Sequence, residues 1–124
     1  MALARSIDHE RRFLRGTWSG VVAAADIIAA VDSLLADPEA WAVGRSLTDM
    51  RAAELELHPA DINAALLGSI APNFGQRQWR MALLVTTPLQ YGICRQFLAL
   101  TSSNFSGDVF YDEAAALTWL LSDA

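Results

Sequence analysis

The chain has no lysine. All nine of its basic residues are arginine, set against fourteen Asp and Glu, so the net charge is −5. A phosphate loop of the Gly-rich, Lys-containing kind is therefore excluded, and the dinucleotide pattern GxGxxG does not occur either. Nucleic-acid binding draws on a dense positive surface that releases counterions, and scattered arginines on an acidic chain do not supply one. An anionic membrane is disfavoured by the same argument. Only Arg11, Arg12 and Arg15 group loosely, as the solvated face of an N-terminal strand would.

Sulfur and imidazole are scarce too. A lone Cys94 cannot form an internal disulfide, which fits a cytoplasmic protein. His9 and His58 are the only histidines and share no metal-ligand spacing, so neither a metal nor a cofactor is expected. Asp8-His9-Glu10 is an ordinary exposed polar stretch. No run of 18 apolar residues is present, and positions 1–20 lack the order of a signal peptide, so no stable membrane insertion is expected. What the chain does have is apolar bulk: 53% hydrophobic against 19% charged residues over 124 positions. That composition forms a core, and the length fits a single domain over residues 1–124.

Periodicity divides the chain into strands and helices. Residues 1–10 read as an irregular arm or edge strand. Phe13 to Trp18 reads as a strand ended by Ser19-Gly20. From Val21 to Ala36 the apolar residues Ala24, Ile27, Ile28, Val31, Leu34 and Leu35 recur at helical spacing, and Asp37-Pro38 stops them. Glu39 to Gly44 reads as a loop, Arg45 to Arg51 as a short strand, and Ala52 to Leu57 as its exit loop. A helix starts at His58-Pro59-Ala60-Asp61 and closes at Asn73-Phe74-Gly75. Met81 to Val85, apolar on both faces, suits an interior parallel strand. Thr87 caps the next helix with Pro88 at its first position, and Leu89, Ile93, Phe97 and Leu100 line one face of it. Val109 to Tyr111 forms a last strand. Asp112 caps a final helix that turns Leu117, Leu120 and Leu121 inward. Helices alternating with strands predict an α/β fold: four or five strands in a mainly parallel or mixed sheet, with about four helices.

Three segments together resemble the SpoIIAA-like (STAS-like) family, in particular its small stand-alone bacterial members. Leu14 to Gly20 looks like the family's first strand and small-residue turn. Ser46 to Arg51 looks like its second strand, with Leu57 to Asp61 as the helix start beyond. Ala82 to Val85 with Pro88 to Gly92, then Val109 to Leu120, complete the match over roughly residues 10–121. The resemblance implies a domain that acts by binding rather than catalysis, as anti-sigma factor antagonists do, switched by phosphorylation of a Ser or Thr near the start of the second helix. Asp49 through Asp61 contains no Ser or Thr here, and His58 takes the helix-start position, so no phosphosite is carried over. The fold likeness extends to lipid-binding domains of the Sec14 type, which adds a carrier of a small apolar or weakly anionic ligand as the alternative.

Candidate site residues follow from position. Asp49 falls at a predicted strand end, where ligands of open α/β sheets gather, and Arg51 shares its side-chain parity. The two either pair structurally or jointly receive a partner. His58 and Thr87 start helices, and Thr87 mainly turns the chain. Cys94, predicted mid-helix, is a packing residue rather than a nucleophile. Trp41 and Trp79, in or beside predicted loops, either fold inward or form an interface. Few charges on an apolar chain predict a homodimer, and the resemblance, with no recognisable catalytic constellation, implies a non-enzymatic regulatory or protein-interaction role.

Overall fold

The computed structural model describes residues 2–122. Five strands form one sheet in the order β1-β2-β3-β4-β5: β1 Ala2–Asp8, β2 Phe13–Val22, β3 Arg45–Leu55, β4 Trp79–Leu84 and β5 Phe105–Phe110. β1 runs antiparallel to β2, and every later pair is parallel. The helices are α1 Ala24–Leu35, α2 Pro38–Val43, α3 Pro59–Ala65, α4 Ala71–Phe74, α5 Pro88–Leu100 and α6 Glu113–Leu120, with a π-helical turn Leu66–Ile70 between α3 and α4. The expected α/β fold with a mixed sheet is what forms. No helix among the described residues is long and apolar enough to cross a membrane.

Strand order explains the layering. Each parallel strand is added on the same side of its predecessor, so crossovers of one hand put their helices on one face of the sheet. The larger core lies there, joining Leu14, Trp18, Val31, Met50, Ile70, Phe74, Trp79 and Leu83. Among the described residues the opposite face has only α6, whose Ala116 and Leu120 close over Phe13, Leu47, Ala82 and Leu84. The two helical layers are thus very unequal.

Several boundaries differ from the sequence expectation, each for a local reason. Residues 38–43 form α2 instead of a loop: the Asp37 carboxylate accepts from Ala40 N–H at 3.2 Å, and Gly44 ends the helix at φ 80°. The Asp-Pro pair that stops α1 is an equally good start for a helix. β2 passes through Ser19-Gly20 to Val22, and β3 passes Arg51 to Leu55, because the two extensions pair with each other after a register shift beyond Thr17. Isolated turn signals yield to tertiary pairing there. Asp49 accordingly lies mid-strand, opposite Leu84 at the end of β4.

On α5 the buried residues are Gln90, Cys94 and Leu98; of the residues expected inward, Ile93 and Phe97 are half-buried and face the core side, while Leu89 is 72% exposed. A buried polar residue at the head of that stripe hides it from a hydrophobicity pattern. Thr87 does cap α5, accepting from Gln90 N–H at 3.1 Å. On α6 it is Ala116 and Leu120 that are buried, with Leu117 and Leu121 at the margin.

Candidate ligand-binding cavity

The sequence-derived candidates fall into separate places. Asp49 and Arg51 are on the α6 face. Arg51 grips Asp49 through Nε–Oδ1 at 3.0 Å and Nη2–Oδ2 at 2.8 Å, and its backbone N–H adds a third bond at 3.0 Å. Glu113 at the start of α6 joins Arg51 at 3.4 Å and Arg15 at 3.3 Å. The array docks α6 onto β2 and β3. His58 is exposed, and its backbone N–H donates to the Asp61 carboxylate at 2.9 Å. Thr87 is spent on its cap. Trp79 is 2% exposed; it donates from Nε1 to Ser46 Oγ at 3.0 Å and stacks on Trp41 at 5.8 Å. Both tryptophans take the inward alternative, with Phe74 filling the corner between them.

Burial alone would raise the Asp49 pKa. The Arg51 hydrogen bonds, with the charges of Arg51 and Arg15, outweigh it and hold the carboxyl below the usual carboxylate range. A carboxylate with a depressed folded pKa contributes stability above its unfolded value of about 3.9 and loses it as pH falls through the folded pKa. Asp49→Asn is therefore expected to be less stable than wild type at neutral pH. The difference should close below about pH 4, read as urea midpoints over a pH series. A gap that persists unchanged in acid would show that the ion pair is not its source.

A different feature dominates the other face. Between the sheet and helices α1 and α5 lies a cavity of about 150 Å³, partly open to solvent. Its walls are apolar: Leu14, Trp18 and Leu83 from the sheet, Ile27 and Val31 from α1, Phe97 from α5. Polar side chains reach it at Arg5, Ser46 and Thr48, and Cys94 faces it from α5. Burial pushes the Cys94 thiol up to about 12, so it stays protonated and unreactive at neutral pH, as a packing role predicts. None of Asp49, Arg51, His58 and Thr87 lines this space. The residues missed by sequence reasoning were partly visible: Leu3, Arg5 and Ile7 alternate as one face of a strand.

No protein-family model matches the chain, and no curated protein does. Solved structures do match, among them an uncharacterised protein of the DUF3478 family from Shewanella loihica PV-4, described as having a SpoIIAA-like fold. It superposes with a TM-score of 0.61 over 96% of this chain and 92% of that one, at 23% identity. The fold is SpoIIAA-like. At that identity the likeness speaks for architecture alone, so the function of this SpoIIAA-like domain has to be argued from its own side chains.

Proposed function

We propose that this SpoIIAA-like domain is a non-enzymatic binding protein that holds a small apolar molecule between its sheet and helices α1 and α5. The cavity of about 150 Å³ carries the reading. Interiors normally pack to near-crystalline density, and an apolar space of this size has room for a benzene-sized guest. Its walls supply area and shape, while few polar groups reach it, the usual composition of a small-molecule site. Non-enzymatic action fits the distribution of chemistry: Asp49, Arg51 and Thr87 are occupied in an ion pair and a cap away from the cavity, His58 does not line it, and its own thiol is protonated.

Titration with ethylbenzene, followed by chemical shifts of the Leu14, Ile27, Val31 and Leu83 methyls, tests this. Saturable shifts confined to the cavity, together with a raised melting temperature, are expected. Occupancy should also slow thiol-reagent labelling of Cys94, which a guest would help keep closed. Absence of saturable binding by any small hydrocarbon would overturn the proposal.

A second reading is recognition of a protein partner, including a second copy of this chain. Leu67, Leu89 and Tyr111 are exposed, and Tyr111 stacks on Tyr91 at 5.3 Å. A dimeric mass by light scattering that Leu89→Ser converts to a monomer would favour it.

A further inference from the structure

One row of residues crosses the cavity floor. Arg5 of β1 pairs with Gly16 of β2, Gly16 pairs with Thr48 of β3, and Thr48 pairs with Leu83 of β4. All four line the cavity. With strands roughly 4.8 Å apart, Arg5 and Thr48 stand about 10 Å apart at their bases, with nothing but a glycine between them. Backbone geometry does not demand that glycine, since its φ is not positive, and crowding does not either. A Cβ there would meet only Leu3 Cδ1, at 3.5 Å, an ordinary contact. The missing side chain leaves a gap in the row between Arg5 and Thr48, bordered by Leu3 Cδ1.

Arg5 also has hydrogen-bonding capacity in reserve. Its Nη2 donates to the Ser33 carbonyl at 3.3 Å, and Asp37 Oδ2 lies 3.9 Å away, beyond hydrogen-bond range. Most of the guanidinium's N–H donors remain uncommitted. The side chain is 20% exposed and lines a polar crevice with Ser6, Ser33 and Asp37 as well as the apolar cavity, so it stands where solvent meets the interior. Thr48 Oγ1 has a single 3.5 Å contact, with Ser46 Oγ, whose oxygen already accepts from Trp79.

Resting on the reading of the cavity as a ligand site, we infer that the ligand is a small apolar monocarboxylic acid. Its hydrocarbon body fills the cavity, and its carboxylate sits over Gly16 between Arg5 and Thr48. A planar guanidinium matches a carboxylate two bonds at a time, and the apolar walls strengthen that pair. Asp37, 3.9 Å from Arg5, repels any anion placed there, and a dianionic phosphate about twice as strongly as a monoanion.

The test compares hydrocinnamate with hydrocinnamyl alcohol, which share a body and differ in the charged head, by titration calorimetry. Wild type is expected to bind the acid about tenfold or more tighter than the alcohol. Arg5→Met, which keeps an apolar stem on an edge strand, should bring the acid down to the level of the alcohol and leave the alcohol unchanged. Arg5→Lys should recover only part of the preference, because charge without the fork is insufficient. Equal binding of acid and alcohol by wild type, or a preference that survives Arg5→Met, overturns the inference while leaving the cavity reading in place. Failure of both probes to bind removes the cavity reading and this inference with it.

Discussion

Gln90→Leu is expected to cost roughly 3–5 kcal/mol of stability, read as a lowered urea midpoint with an unchanged slope. The magnitude follows from what the side chain joins. Gln90 is 7% exposed at the first turn of α5. Its Oε1 accepts from Thr86 N–H at 2.8 Å and Thr87 N–H at 3.1 Å, backbone donors that the helix start leaves without intrahelical partners. Its Nε2 donates to the carbonyls of Met50 and Ala53 at 3.0 Å and of Arg51 at 3.3 Å. β4 ends at Leu84, opposite Asp49, so β3 continues beyond it with no strand on that side. The amide takes the place of the absent strand. Leucine matches the volume and supplies neither donor nor acceptor, so the buried Met50 and Ala53 bonds are lost together with the half-buried ones to the Thr86 and Thr87 N–H groups. If the midpoint moved by less than about 1 kcal/mol, water would have to reach those groups, and this end of the sheet would be wetter than its burial implies.

That residue also marks where the sequence stopped being readable. Periodicity and caps found the alternation of strands and helices, since Pro88 after Thr87 and Ala115 N–H on Asp112 are local events written in neighbouring residues. The extensions of β2 and β3 are not local: each is a strand because the other is. The Asp49–Arg51 pair was legible from side-chain parity, and its structural role was one of the two readings left open. The cavity was not legible, because a hollow is a property of how α1 and α5 stand off the sheet. Leu14, Trp18 and Val31 would look the same in sequence had they met a filled core. Arg5 on an edge strand reads as a solvated charge until β1 is paired with Gly16 and the face it shares with Leu3 is known.

Two glycines on the same sheet separate packing from function. Gly107 on β5 has no room: a Cβ would stand 2.5 Å from Leu98 Cδ2 and 2.9 Å from the Met81 carbonyl oxygen. The leucine tip can rotate away, but the carbonyl belongs to the β4–β5 ladder and moves only with the strand. Gly107→Ala is therefore expected to destabilise the fold by about 2–3 kcal/mol, measured by urea denaturation, through strain at the edge of the core. Gly16→Ala should do the opposite. Its Cβ meets Leu3 Cδ1 at ordinary contact distance, and restricting the unfolded chain should leave stability unchanged or raised by about 0.5 kcal/mol. The same methyl would intrude where the carboxylate is placed, so hydrocinnamate binding should weaken while the fold gains. A substitution that strengthens the fold and harms binding is what a site maintained against packing would show. Were Gly16→Ala to destabilise as Gly107→Ala does, the floor between Arg5 and Thr48 would be filled in solution, with no room for a head group.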